Sequence, residues 1–166
     1  MGATSDARHA TTVGVYGFSL ERFLLGLGAE DVDLVVDVRQ RRGVRGSEYA
    51  WANSRRLQAA LAEAGIDYLH RRDLAPTTEL RQLQYREDDR LGVGKRSRVE
   101  LAPEYRRRYT TEILDRVDLG ELLDQLPGRR VFALLCVERD PEACHRSIVA
   151  DRLAAEHGVR ITHIRP

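Results

Sequence analysis

The sequence predicts an α/β fold in which helices cover both faces of a mainly parallel sheet of about five strands. Short apolar runs alternate along the chain with segments of helical period. Residues 34–36, within the predicted strand 32–39, and residues 131–137 are apolar at successive positions, as expected of strands that are buried on both faces. Residues 12–39 contain a strand, a helix and a second strand, which is the pattern of a βαβ unit. These observations together predict a single-domain, Rossmann-like three-layer sandwich.

The bulk composition is typical of one globular domain. The chain has 166 residues, of which 42% are hydrophobic and 32% are charged. We assign the domain to residues 12–166, and we predict that residues 1–11, which lack an apolar segment, form a disordered leader. No apolar run approaches the ~20 residues of a transmembrane helix, so we expect no membrane partner. We also expect a cytoplasmic protein with reduced thiols. The oligomeric state is left open.

The elements of the amino-terminal half follow from local patterns. Residues 12–17 predict the first strand, and Ser19 is positioned to cap a helix whose apolar residues recur at helical spacing. The second strand is predicted over 32–39. The next predicted elements are a loop at 40–49, a helix at 50–65 that is capped by Asn53 or Ser54, and a third strand at 66–70.

The carboxyl-terminal half is predicted in the same way. A polar helix begins at Thr77 or Thr78, and the glycine-containing segment 92–98 is predicted to be a mobile basic loop because it lacks the spacing of a phosphate-binding loop. The remaining elements are helices from Pro103 and from Asp118, a break at Pro127-Gly128, a strand at 131–137, a helix that begins at Asp140-Pro141, and an edge strand at 159–164.

Reactive side chains occur where the predicted strands end. Asp37 and Arg39 end the second strand, and His70 ends the third. Cys136 and Glu138 end the fourth strand, and they point to the same face because side chains alternate along a strand. Ligands of open α/β sheets bind at the carboxyl ends of the strands. We therefore predict one pocket that gathers these side chains.

The helix after the fourth strand is predicted to add three more residues to this pocket. If it begins at Asp140-Pro141, its first turns carry Cys144, His145 and Arg146. The amino-terminal end of a helix favours a thiolate, so Cys144 is a candidate nucleophile. Glu138 or His70 would then transfer the proton, and Cys136 is an alternative nucleophile. Arginines would hold an anionic group, among them Arg39, Arg45 and Arg146.

The same residue types allow other interpretations. Cys136, Cys144 and His145, with Glu138 or His70, could bind zinc, although their spacing matches no recognised zinc motif and resembles that of zinc deaminases only superficially. The two cysteines could instead form a redox disulfide. A purely structural role is the third alternative, with Cys136 in the core and Glu138 paired with an arginine. The leading interpretation includes no metal and leaves the cofactor unassigned.

The distribution of charge separates two functional hypotheses. The net charge is only +1, which argues against a protein that coats nucleic acid by charge alone. Residues 37–108, however, contain 17 lysines and arginines against 11 acidic residues. Our leading hypothesis is an enzyme, a cysteine- or carboxylate-dependent hydrolase or transferase, that acts on a nucleotide, nucleobase or similar anionic small molecule. The rival is a non-catalytic nucleic-acid-binding module that uses residues 39–108.

Four segments of the chain resemble a known bacterial family. They are VGVYGFSLERFLLGL, LVVDVR, GIDYLHRRDLAP and, above all, LLCVERDPEACHRSIVADRLAAEHGVRITHI. These segments resemble the domain of unknown function 488 family from about Val13 to Ile164, and the Cys-x-Glu and Pro-x-x-Cys-His-Arg pieces are the most specific part. The resemblance implies an α/β fold but no particular reaction.

The resemblance also marks candidate site residues. The family pattern, carried to matching positions, marks Asp37, Arg39, Tyr68, His70, Cys136, Glu138, Cys144, His145 and Arg146. The chain departs from commoner members at residues 40–46 and at residues 74–76. It therefore resembles a distinct subgroup.

Overall fold

The structure is a computed structural model that describes residues 8–126 and 130–166. Its five strands form one all-parallel sheet in the order β3-β2-β4-β1-β5. The strands are β1 (His9–Val13), β2 (Leu34–Asp37), β3 (Asp67–His70), β4 (Phe132–Leu135) and β5 (Arg160–Ile164). The predicted α/β class is confirmed, and the last strand lies at an edge of the sheet as expected.

Helices connect these strands, and several of them begin at a residue whose side chain satisfies one of the first N–H groups. The α-helices are α1 (Leu20–Ala29), α2 (Ser54–Glu63), α3 (Thr78–Leu91), α4 (Pro103–Glu112), α5 (Leu119–Gln125) and α6 (His145–His157). Ser19, Thr77 and Asp118 each accept a hydrogen bond from a backbone N–H in the first turn. These three caps stand where the sequence predicts them. Short 3₁₀ helices are formed by Ser47–Ala52, Arg72–Leu74, Leu114–Arg116 and Pro141–Ala143.

Both faces of the central strands are covered. Every residue of β2 and of β4 is buried, so side chains that point to opposite faces are equally removed from solvent. This is the burial pattern of the middle layer of a three-layer sandwich. Among residues 8–126 and 130–166, no helix has the length and apolar character needed to cross a membrane.

The first strand begins earlier than the sequence predicts. The prediction starts it at residue 12, whereas β1 runs from His9 to Val13, so residues 9–11 of the predicted leader belong to the sheet. The missed residues include His9 and the fully buried Thr11, two polar side chains that give little hydropathy signal. Residues 1–7 of the predicted leader and the predicted break at Pro127-Gly128 lie outside the described residues.

The helix that follows the fourth strand begins later than predicted. Asp140 and Pro141 start a single 3₁₀ turn, and Cys144 then adopts an extended conformation (φ −141°, ψ 146°) before α6 begins at His145. Cys144 is therefore the N-cap of α6 and not a residue of its first turn. Its Sγ accepts a hydrogen bond from the backbone N–H of Arg146, at 3.5 Å.

The strand register brings the predicted site residues to one edge of the sheet. Asp37 at the end of β2 pairs with Leu135 of β4 on one side and with His70 of β3 on the other. Val13 of β1 also pairs with Leu135. Cys136, the residue after Leu135, thus emerges between the ends of β1 and β2.

Candidate functional site

Two cysteines and a histidine form a buried cluster at the carboxyl end of β4. The Nδ1 atom of His145 lies 3.8 Å from Sγ of Cys136 and 3.7 Å from Sγ of Cys144. The three donor atoms all lie within 4.8 Å of one another, and each residue is at most 5% exposed. Both cysteines are free thiols. The cluster thus joins residues from β4 and from the start of α6, and it has the donor types of a metal site.

Contacts other than those with the two sulfurs hold the imidazole of His145 in one orientation. Its Nε2 lies 2.9 Å from the carbonyl oxygen of Val38, just past the end of β2. A carbonyl oxygen only accepts hydrogen bonds, so Nε2 carries a proton and donates it. The ring of Tyr109 packs against the imidazole at a centroid distance of 5.3 Å. Nδ1 is therefore directed at the two sulfurs.

Glu138 lies beside this cluster and is connected to a second layer of buried charges. One carboxylate oxygen accepts from Sγ of Cys136 at 3.4 Å, and the other is 3.4 Å from Nη1 of Arg98. Arg98 also donates to both carboxylate oxygens of Asp88, at 2.7–3.0 Å. Arg98 and Asp88 are 7% and 3% exposed. A buried ion pair therefore fixes the position of the Glu138 carboxyl group.

The four groups influence the protonation of one another. Burial raises the pKa of the Cys136 thiol and of the Glu138 carboxyl, and the negative charge on Cys144 adds to both shifts. Burial also opposes ionisation of Cys144, but the hydrogen bond from Cys136 and the charges of His145 and Arg146 outweigh it and lower the pKa of that thiol. Burial opposes the charged form of His145 as well, and the Cys144 thiolate outweighs it and raises the pKa of the imidazole. These opposite directions favour a thiolate at Cys144 over one at Cys136.

Arg146 supports the turn that carries Glu138. It is fully buried and donates to the carbonyl oxygens of Glu138 (2.7 Å) and Arg139 (3.1 Å). Gly14, directly after β1, makes room for the same turn, since a Cβ atom there would lie 2.0 Å from the carbonyl oxygen of Glu138. The backbone of Glu138 is therefore held between an arginine and a residue that must lack a side chain.

Gly14→Ala is expected to destabilise the protein and to displace the Glu138 turn. The added methyl group would collide with backbone, and overpacking of this kind costs about 1–3 kcal/mol. Gly28→Ala in α1 is the matched control, because a Cβ there has no neighbour within 4 Å and alanine favours a helix by roughly 0.5–1 kcal/mol. Urea unfolding of both variants measures the difference. Equal stability of the two variants would contradict the tight approach at Gly14.

Two adjoining cavities open next to the cluster. The smaller, of about 50 Å³, is lined by Cys136, Glu138, Cys144 and His145 together with cationic side chains from three other segments. The larger, of about 430 Å³, lies beside it and shares Arg41, Arg81, Tyr85, Lys95 and Val137 as wall residues. The reactive groups thus lie in a narrow recess next to a wide cationic cavity.

A family model described as "Domain of unknown function DUF488" matches residues 19–153. The chain belongs to the DUF488 family. The match covers most of the chain and includes the ends of β2, β3 and β4, both cysteines and His145, so the resemblance noted in the sequence is confirmed. Comparisons with curated proteins and with solved structures found no match. The family description names no activity.

In this DUF488 protein, five of the predicted site residues line the small cavity. They are Arg39, Cys136, Glu138, Cys144 and His145. Arg45, predicted to bind an anion, lines the larger cavity. The structure therefore brings together residues that are up to about 100 positions apart in the sequence, as expected for strand ends of one parallel sheet.

The other predicted residues lie behind the cavity wall. Asp37 is fully buried, where it accepts two hydrogen bonds from the guanidinium of Arg39 and one from the hydroxyl of Tyr68. His70 contacts the carbonyl oxygen of Arg39 at 3.0 Å. None of Asp37, Tyr68, His70 and Arg146 lines either cavity among the described residues. Direct roles for these four stay predictions, and the observed contacts place them where they hold the strand ends and the Glu138 turn.

Several wall residues of the DUF488 site were not predicted from the sequence. Lys95 and Arg98 come from the segment predicted to be a mobile basic loop, yet Arg98 is buried against Asp88 and Glu138. Gln84 and Asp88 lie on the buried face of α3, one and two turns after buried Leu80. Leu80 is the only apolar residue among the three buried ones of this helix, so hydropathy gave no signal that Gln84 and Asp88 face inward. Arg81, on the same helix, gave no signal either.

Proposed function

We propose that this DUF488 protein is an enzyme that acts on a small anionic molecule of the nucleotide class, with its reacting groups in the narrow recess. The observation that carries the proposal is the contact between that recess and a cavity lined by four cationic side chains. Those side chains are Arg41, Arg45, Arg81 and Lys95.

The cavity sizes favour a ligand with a small reacting group and a larger anionic part. Sites for small molecules measure about 300–1,000 Å³, and the wide cavity falls within that range at about 430 Å³. The recess holds about 50 Å³, which is room for a water molecule or one small functional group, since a water occupies roughly 30 Å³. The bulk of the ligand would therefore lie in the wide cavity while one group reaches Glu138.

The charge of the wide cavity supports an anionic ligand. Its lining residues include no carboxylate, and within residues 8–126 and 130–166 none of its four cations forms an ion pair. Arg81 instead donates to the side-chain oxygen of Gln40 and to the hydroxyl of Tyr85. Unpaired cations that converge on one concave surface are suited to phosphate, which accepts several charge-assisted hydrogen bonds. The wide cavity is therefore the proposed phosphate-binding part.

The recess supplies groups for proton transfer. Glu138 is a buried carboxyl that lines the small cavity together with Cys136, Cys144 and His145, and one of its oxygens lies 3.4 Å from Sγ of Cys136. A positioned carboxyl that gives or takes a proton typically contributes about 10²–10⁴-fold to a rate. The combination of an anion-binding wall and a proton-transferring carboxyl supports catalysis more than simple binding.

Binding of nucleoside monophosphates and of inorganic phosphate tests the proposed wall. We expect at least one of AMP, GMP, CMP and UMP to raise the melting temperature and to bind in calorimetry. Arg81→Gln and Lys95→Gln should each weaken that binding about 10- to 100-fold, since a hydrogen bond to a charged group contributes roughly 1.5–3 kcal/mol. Arg55→Gln is the matched control, because Arg55 is exposed on α2 and lines neither cavity.

Two results would contradict this assignment. One is that none of the nucleotides or phosphate binds. The other is that binding survives unchanged in both Arg81→Gln and Lys95→Gln. The nucleic-acid-binding alternative predicts instead that a single-stranded oligonucleotide binds with an affinity that falls steeply with salt, and that mononucleotides do not bind.

A further inference from the structure

We propose that Cys136, Cys144 and His145 bind one Zn²⁺ ion, with the fourth coordination position open to the small cavity. The ligand atoms would be the two Sγ atoms and Nδ1 of the imidazole. The cluster by itself supports binding of the ion, whereas the chemical role of the ion rests on the proposed function.

The spacing of the three atoms fits a tetrahedral zinc site. With Zn–S and Zn–N bonds of about 2.3 and 2.0–2.1 Å, tetrahedral angles place sulfur and nitrogen about 3.6 Å apart. The two S···N distances are 3.8 and 3.7 Å. All three atoms lie within 4.8 Å of one another, so small side-chain adjustments bring them to a common centre. Thiolate and imidazole are also the ligand types that select zinc over magnesium or calcium.

The surroundings of His145 are those of a metal-binding histidine. The ring nitrogen that does not face the sulfurs donates to the carbonyl oxygen of Val38 at 2.9 Å. Histidine ligands almost always donate their second ring N–H in this way, which fixes the tautomer and directs the lone pair of the other nitrogen at the metal. The backbone N–H of Arg146 donates to Sγ of Cys144, a contact that also suits a thiolate ligand.

The open position and Glu138 together define a hydrolytic site. Catalytic zinc ions keep three protein ligands and leave the fourth position for water or substrate. All three proposed ligand residues line the small cavity, and Glu138 lines it beside them without belonging to the set of three. This arrangement separates the metal ligands from the carboxyl group that moves protons.

The step that follows consumes one water molecule. Water at the open position gives a proton to the Glu138 carboxylate, and the resulting hydroxide forms a bond to the electrophilic atom of the substrate. The bond from that atom to the leaving group then breaks, and Glu138 returns the proton to the leaving group. No electrons are gained or lost, so no oxidant or reductant is required.

Metal analysis of the full-length protein tests the binding. We expect about one zinc per chain by mass spectrometry after purification without chelators. After the metal is stripped, Co²⁺ added in its place should give the thiolate charge-transfer and tetrahedral absorption bands. Cys136→Ser and Cys144→Ser should each lower zinc affinity more than about 100-fold, beyond the 10- to 100-fold effect typical of altering a second-shell partner. Glu138→Gln should retain the full zinc content.

The Co²⁺ spectrum of the unaltered chain keeps the test decisive if a cysteine variant fails to fold. A folded protein that takes up neither Zn²⁺ nor Co²⁺ would overturn the metal site. If that metal-free protein still converts a nucleotide and loses activity on Cys144→Ser, Cys144 is the nucleophile and the proposed function stands without the metal. A zinc-loaded protein that binds and converts none of the nucleotides would leave the metal site intact and would overturn the proposed function.

Discussion

Glu138→Gln should lower turnover about 10²- to 10⁴-fold without changing the fold, because it removes the carboxyl group that transfers the proton. Glutamine matches glutamate in size, and its amide oxygen can still accept from Arg98. The measurement is kcat and KM with the nucleoside monophosphate that gives the highest turnover, alongside circular dichroism. We expect the loss to fall on kcat, since the cationic side chains that hold the anion are unchanged.

Glu142→Gln provides the matched control for that variant. Glu142 lies in the same turn between β4 and α6, but its side chain is exposed and pairs with Arg165. Its replacement should leave kcat unchanged. If Glu138→Gln has the same kcat as the control, Glu138 is not a catalytic group. Its contact with Cys136 is then purely structural.

Asp37→Ala should destabilise the protein by about 3–5 kcal/mol, since it leaves the buried guanidinium of Arg39 without its partner. The two side chains are 0% and 1% exposed and are joined by two hydrogen bonds of 2.9 and 2.8 Å. Tyr68 would lose its hydrogen-bond acceptor as well. In a chain of this length the change corresponds to a fall in melting temperature of about 6–20 °C. Thermal and urea unfolding measure it.

Two comparisons separate this buried pair from surface charge effects. Asp73→Ala breaks a pair with Arg71 in which Asp73 is about half exposed, and it should cost no more than about 1 kcal/mol. Asp37→Ala combined with Arg39→Met should recover part of the lost stability, because the unpaired charge is then absent. A small effect of Asp37→Ala alone would contradict the account of Asp37 as the partner that neutralises Arg39.

The secondary structure was predictable where local chemistry dominates. Ser19, Thr77 and Asp118 cap helices through their own side chains, so a short stretch of sequence contains the whole signal. The start of β1 was not predictable from hydropathy, because His9 and Thr11 are polar and join the sheet through pairing with β5 and, for Thr11, also with β4. The predicted start of α6, at Asp140-Pro141, lies before the observed start at His145, again because tertiary contacts decide the local structure. An Asp-Pro pair initiates a 3₁₀ turn as readily as an α-helix, and tertiary contacts around Cys144 decide which one forms.

The amino-acid sequence by itself determined the α/β class, the family resemblance and the convergence of Arg39, Cys136, Glu138, Cys144 and His145, because parallel strands must end at one edge of their sheet. Only the tertiary structure decided how those side chains are used. It paired Asp37 with Arg39 behind the cavity, brought Arg98 and Lys95 from a distant segment into its wall, and directed Nδ1 of His145 at both sulfurs. These contacts join elements that are remote in the chain, and no local sequence pattern encodes the distance between two such side chains.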